Sequence, residues 1–234
     1  MEQLHTGFTL SLCEGAFPLS TDSMVLADFT KLPKDASVLD LGSGCGTLGL
    51  LLCAKDPSCR VTGIELKQAA HTCALENIAR NGLDDRLTSI CGNVNCISDF
   101  VPAGKFHCCV SNPPYFSAGP QSKTLPLARR DDALSTDALF RAAQWALRYG
   151  GDFFLVHRPE RLADLCACAN RHQLEPKRLG LLRHKQDGPV TLILLQCRKG
   201  GKPGLVWDEY ALQDLQGMPT AYYRKVYHTQ EVAL

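Results

Sequence analysis

The sequence predicts an α/β fold: a mainly parallel sheet with helices on both faces, closed by an antiparallel pair of strands. Three observations predict it. Short apolar runs alternate with helical patterns along most of the 234 residues. A glycine-rich turn, "GSGCG", links the first such run to an apolar helical stretch. The last two β-like runs are separated by little more than "DGP", a turn that suits antiparallel neighbours.

The elements follow in order. "SVLDL" (37–41) is a short apolar strand carrying Asp40 near its end, and "TLGLLLCAKD" is the helix after the turn. "RVTGIEL" (60–66) is a second strand with Glu65 at its end. "KQAAHTCALENIARNG" is a helix closed by Asn81-Gly82, a good C-cap pair. "RLTSICGN" and "KFHCCVSN" are the third and fourth strands. "STDALFRAAQWALRYGG" is a helix with Ser135 or Thr136 as N-cap and Gly150-Gly151 at its end. "DFFLVH" is a fifth strand, "PERLADLCACANRH" a helix, and "PKRLGLLRH" with "VTLILLQCRK" the closing pair, seven strands in all. Ligands of such sheets bind beyond the carboxyl ends of the strands. Asp40, Glu65, Asn93 and Asn112 all fall at or just after such ends.

Composition narrows the class. No run of 18 apolar residues is present, and the N-terminus "MEQLHTGFTLSL" lacks the early Lys or Arg of a secretory signal. The 12 cysteines sit mostly in apolar stretches with no CxxC, so they read as small buried hydrophobes of a reducing cytoplasm, with no metal site expected. Net charge is +1 but uneven: residues 1–110 hold 8 Lys/Arg against 12 Asp/Glu, and residues 111–234 hold 17 against 12. The bias peaks over 171–202, with 8 basic and 2 acidic residues. A basic half suits a phosphate backbone, or is a solvated face with no partner.

"DLGSGCG" (40–46) places Gly42, Gly44 and Gly46 at alternate positions, where positive φ lets a ligand approach the backbone. Glu65, 19 residues after Gly46, could accept two hydroxyl hydrogens from a ribose. Residues 44–49 also fit GxGxxG, so a nicotinamide dinucleotide competes with S-adenosylmethionine (SAM). Asp40 favours SAM. A carboxylate can lie near an ammonium, whereas a pyrophosphate prefers donors and a helix N-terminus.

"SNPPYF" (111–116) follows the fourth strand. An exocyclic amine or an amide is a poor nucleophile, because its lone pair is delocalised. Asn112 offers its amide C=O and Pro113 its backbone C=O to the two N–H groups of such a nitrogen, and neither proline competes with an N–H of its own. Two prolines fix φ and preorganise the acceptors. Tyr115 offers an aromatic face for a planar base. A plain turn with a core tyrosine is the simpler alternative. A cytosine-C5 mechanism would need a cysteine between Asn112 and Phe116, and none is there.

The loop Asp40–Gly46 and Asn112-Pro113-Pro114-Tyr115, at this spacing, resemble the class I, SAM-dependent amino-methyltransferases. From about Phe8 to Tyr223 the protein resembles the bacterial tRNA(Val) adenine-N6 methyltransferase group, through "GAFPLSTDSMVLADF" (15–29), "SNPPYF", "LARRD" (127–131) and "GGDFFLVHRPERL" (150–162). The resemblance implies a Rossmann-like fold with a cofactor-covering segment at 1–36, a catalytic domain at 37–200 and a tail at 201–234. It implies that Asp40, Gly42, Gly44, Gly46, Glu65, Leu66, Asn93 and Asn112 hold SAM, and that Asn112, Pro113 and Tyr115 act on the amine. Tyr115, Phe116, Lys123, Arg129 and Arg130 would hold RNA, with tRNA the expected partner. Two departures stand out: Asn93 where many relatives have Asp, and Arg130 where some have His. Methylation of a protein glutamine, or binding of SAM or RNA without turnover, remains an alternative.

Overall fold

The computed structural model describes residues 2–4, 7–14, 19–114 and 134–227. β1 (Glu2–Gln3) and β2 (Thr9–Leu10) pair as a small antiparallel ribbon. Eight further strands make one sheet: β3 (Ser37–Leu41), β4 (Arg60–Glu65), β5 (Leu87–Cys91), β6 (Phe106–Ser111), β7 (Leu147–His157), β8 (Leu174–Lys185), β9 (Val190–Lys199) and β10 (Val206–Gln213). Their order is β10-β8-β9-β7-β6-β3-β4-β5, parallel throughout except for β9, which runs against β7 and β8. The C-terminal ends of β3, β4, β6, β7 and β8 therefore share one rim.

Both faces of the sheet are covered, which is why its strands are apolar runs rather than alternating ones. Neighbouring residues of a strand face opposite ways. Phe154 meets Phe29 edge-on at 6.2 Å on one side, while Phe153 meets Phe140 at 5.2 Å on the other. The first side packs α1 (Thr21–Phe29) and α2 (Thr47–Lys55), burying Met24, Leu26, Leu50 and Leu52. The second packs α4 (Thr136–Ala146) and α5 (Leu162–Arg171), burying Leu139, Phe140, Leu165 and Ala169. α3 (Gln68–Arg80) lies beside β4 and β5.

The sheet has eight strands where seven are expected from the sequence. The extra one comes from the expected tail: β10 pairs in parallel with β8 at the sheet edge. Arg178 fixes it there. Its Nε donates to Asp208 Oδ2 at 2.7 Å, its Nη2 donates to Tyr210 OH at 2.7 Å, and its guanidinium lies 4.2 Å over the Phe29 ring. α6 (Ala221–Tyr227) then covers β10, with Tyr210 stacked on Tyr222 at 4.4 Å. A second difference concerns Gly150-Gly151. The helix stops at Ala146 and Leu147 is already extended, so the glycine pair lies inside β7. Gly150 has φ +76°, and the β6–β7 register shifts between Phe106 and Cys108. The glycines serve a strand irregularity rather than a helix end.

The N-terminal segment is tied down by side chains. Asn81 Oδ1 accepts from Thr9 N–H and its Nδ2 donates to Thr9 O, each at 2.8 Å. One turn back, Asn77 repeats the pattern with Ser11 at 2.8 and 2.9 Å, and its Nδ2 also reaches Cys45 O at 2.9 Å. Two asparagines at i and i+4 thus act as a short ladder for an extended segment. Asn77 is fully buried and joins that segment to the glycine turn.

Candidate active site

The glycine turn leaves β3 and enters α2. Gly42, Gly44 and Gly46 have φ of +78°, +56° and +83°, a conformation that L side chains disfavour. Gly42 and Ser43 donate to Ile64 O at 2.9 and 3.1 Å, and Gly46 donates to Ser43 O at 2.9 Å. Gly44 N–H donates to Glu65 Oε2 at 2.9 Å, while Glu65 Oε1 accepts from Lys67 N–H at 2.8 Å. The amides of Gly42, Ser43, Gly44 and Gly46 are therefore spent on the protein itself. Gly63 makes this closeness possible, since a Cβ there would lie 2.6 Å from Ser43 Oγ and 2.7 Å from its Cβ.

Asp40 lies beneath the turn and is only 1% exposed. Its Oδ2 has no hydrogen-bond partner among the described residues. Burial, with the Glu65 carboxylate adding to it, pushes its carboxyl up to about 7. Glu65 ends β4, 9% exposed, and Leu66 follows it, 42% exposed. Asn93 caps a 3₁₀ turn over Val94–Asp99, its Oδ1 accepting from Asn95 N–H at 2.9 Å. That bond takes one of the two lone pairs expected to serve a cofactor amine.

Asn112 arrives at the same rim from β6. Val110 is the register partner of Asp40, and Ser111 Oγ donates to Leu41 O at 2.7 Å, so the Asn-Pro-Pro turn emerges beside Gly42. Asn112 Nδ2 donates to Ser23 Oγ on α1 at 3.0 Å, which assigns Oδ1 to the other side of the amide. Pro113 is buried and Pro114 half-buried. Leu134 lies within contact distance of a Cβ built on Gly42, so the backbone both leaves and re-enters at the site. Tyr115, Phe116, Lys123, Arg129 and Arg130 lie outside the described residues, as does 15–18 of the N-terminal motif. Ser23, Asn77 and Ser111 join the site without having been singled out in the sequence. The one available signal was a serine directly before the apolar helical segment "MVLADF", at Ser23.

The chemistry of this rim discriminates between cofactors. A pyrophosphate needs donors, but the amides of Gly42, Ser43, Gly44 and Gly46 are already engaged, and two carboxylates, Asp40 and Glu65, lie at the turn. A cationic, ribose-bearing ligand fits: Glu65 retains acceptor capacity for hydroxyls, and a Cβ on Gly44 would meet nothing within 4 Å. Together with the strand order, this places the molecule among the class I methyltransferases. The protein belongs to the methyltransferase small domain family, whose model matches residues 19–164.

Similar proteins agree. A tRNA1(Val) (adenine(37)-N6)-methyltransferase of Shewanella halifaxensis is 32% identical over 159 residues, covering 67% of this protein and 64% of the relative, just under two thirds of its length. The protein of the same name from Bacteroides fragilis is 30% identical over 191 residues, covering 80% of each. Among solved structures, a predicted O-methyltransferase from Agrobacterium tumefaciens superposes with a TM-score of 0.74 at 19% identity, over 89% of this protein and 96% of that one. Geranyl diphosphate C-methyltransferase of Streptomyces coelicolor gives 0.53 at 13% identity, over 76% and 78%. These two structures share the fold.

The basic segment 171–202 divides between the two ends of the sheet. Lys177, Lys199 and Lys202 belong to the end away from the site, Arg183 and Lys185 to the site rim, and Arg171 pairs with Asp137 in the first turn of α4. Asp137, in the first turn of α4, Cys168 and His172 bring three potential ligand atoms within 4.8 Å of one another. Asp137 Oδ1 accepts from His172 at 2.9 Å and from Arg171 at 3.1 Å, and these bonds hold its carboxyl below the usual range. No helix among the described residues is long and apolar enough to cross a membrane.

Proposed function

We propose that this protein transfers a methyl group from SAM to the N6 amine of an adenine in tRNA. The cofactor follows from the family; the substrate is our inference. What carries it is the Asn112 amide, held by its Nδ2 on Ser23 beside the glycine turn. Its Nδ2 donates to Ser23, and we assign its amide oxygen and Pro113 C=O as the two acceptors of an incoming N–H. The relatives' names, which specify adenine-37 of a tRNA, support the same substrate.

Gly42, Gly44 and Gly46 admit the cofactor, Glu65 accepts from its ribose hydroxyls, and Leu66 offers an apolar surface to its adenine. Asp40 supplies negative charge below the turn for its ammonium, and Asn93 accepts from its adenine amine without a full charge. Bound there, SAM supplies a methyl group on a cationic sulfonium. Asn112 and Pro113 hold the target nitrogen while it moves toward sp³, and orientation does most of the work. Tyr115 stacks on the flipped base, and Phe116, Lys123, Arg129 and Arg130 hold the flanking RNA.

The test is incubation with labelled SAM and separate tRNA, DNA and protein pools, followed by digestion to nucleosides and mass spectrometry. Label in N6-methyladenosine from tRNA is expected. Label on a glutamine side chain would replace RNA with protein as substrate. Tyr115→Ala should lower RNA turnover more than SAM affinity.

A further inference from the structure

One concave feature on the site rim is unused by the chemistry above. A groove of about 210 Å³ is lined by Thr21, Asp22, Arg158, His184, Thr191 and three leucines, Leu182, Leu192 and Leu212. It lies at the C-terminal ends of β7, β8 and β10 and the start of β9, the rim from which Asn112 emerges. Its α1 wall, Thr21 and Asp22, directly precedes Ser23, the residue bonded to Asn112 at 3.0 Å. Consecutive Cα atoms are about 3.8 Å apart, so the groove begins within a nucleotide's length of the reacting amine.

The lining is chemically mixed in a specific way. Arg158 and His184 are exposed cationic or donor side chains, and Arg158 Nη1 is steadied by Thr191 O at 3.3 Å. Asp22 is a half-buried acceptor in the first turn of α1. The leucines make an apolar floor. A volume below the roughly 300 Å³ of small-molecule pockets suits one unit of a polymer whose neighbours are held elsewhere. Donors for a phosphate, an apolar floor for a base and a carboxylate acceptor describe a ribonucleotide, because only RNA brings a 2′-hydroxyl to donate.

We propose that this groove holds the ribonucleotide next to the target adenine, with Arg158 and His184 on its phosphate and Asp22 on its 2′-hydroxyl. The proposal rests on RNA being the substrate. RNA then crosses the rim from Asn112 over the first turn of α1 toward the β8–β9 turn, and the basic residues at the opposite end of the sheet take no part.

The test is fluorescence anisotropy of the full-length protein with a labelled anticodon stem-loop and with DNA of the same sequence. Arg158→Gln and His184→Ala should each weaken RNA binding roughly 3–10-fold, and Arg158→Gln should reduce the salt slope by about one. Asp22→Ala, which removes the acceptor, should narrow the preference for RNA over DNA. Lys177→Ala and Lys202→Ala, at the far end, should bind like the parent, and calorimetric SAM binding should be unchanged in every variant. Parent-like RNA binding by the groove variants, weakening by the far-end variants instead, or no RNA binding by the parent would overturn the proposal. An RNA preference unchanged in Asp22→Ala would also overturn it. Groove-dependent RNA binding with methyl found only on protein glutamine would instead sink the adenine-N6 function and leave the groove standing.

Discussion

Asp40 is a carboxyl buried under the glycine turn, with its ionisation pushed up to about 7. Its folded value exceeds the ordinary 3.8, so between about pH 4 and pH 7 the unfolded protein ionises while the native protein retains the proton. Stability without ligand therefore falls as pH rises through that window and levels off above it. Asp40→Asn should abolish that slope and stabilise the ligand-free protein at pH 8 by on the order of a few kcal/mol, read by urea denaturation. The same substitution should weaken SAM binding. A variant with an unchanged pH slope would mean that Asp40 ionises freely.

Asn112 and Ser23 give the second residue-scale expectation. Asn112→Ala should keep SAM affinity and lose roughly 10²–10³ in turnover, as when one preorganised donor or acceptor is deleted. Ser23→Ala should lower kcat by a smaller factor with SAM binding intact, and Ser23→Thr should restore it. Equal kcat in Ser23→Ala and the parent would show that Asn112 is oriented without Ser23. Asp40, the three glycines, Glu65 and Asn112 were legible in the sequence because each closes a strand or a turn. Ser23 was not, since its contact spans 89 residues and only the packing of α1 on the sheet makes it.

At the scale of elements, the glycine turn works because β4 lets it approach. Gly63→Ala would drive a methyl into Ser43 Oγ and Cβ, and the Ser43 Cβ cannot swing away as the tip of a long side chain can. A loss of about 1–3 kcal/mol and weaker SAM binding are expected from chemical denaturation and calorimetry. Parent-like stability would show that the turn has room to shift. The element types were readable from apolar runs and caps. Two placements were not. The glycine pair 150–151 has the composition of a helix end, but Ala146 is already the last helical residue because Leu147 begins pairing with Phe106. β10 reads as a tail because "VWDEYALQ" is half polar, and its ladder with β8, the Arg178–Asp208–Tyr210 cluster and α6 give it a place in the sheet. Arg178→Ala should therefore destabilise the edge, with earlier hydrogen exchange over 206–213 than elsewhere in the sheet.

Over the whole molecule, topology sorts chemistry to one end. Parallel strands bring Asp40, Glu65 and Asn112 from distant parts of the sequence to one rim, and α1 starts at that rim. The basic segment, continuous in sequence, is separated by the β8–β9 hairpin into a rim portion and a remote portion. Net charge alone cannot show that division, which depends on strand direction.

Methyl transfer to adenine N6 is tested most directly by nucleoside mass spectrometry of a tRNA treated with the protein and deuterated-methyl SAM. A labelled N6-methyladenosine is expected, and it should disappear with Asn112→Ala while SAM binding persists. Label on any other nucleoside, or undiminished N6 labelling by Asn112→Ala, would contradict that expectation.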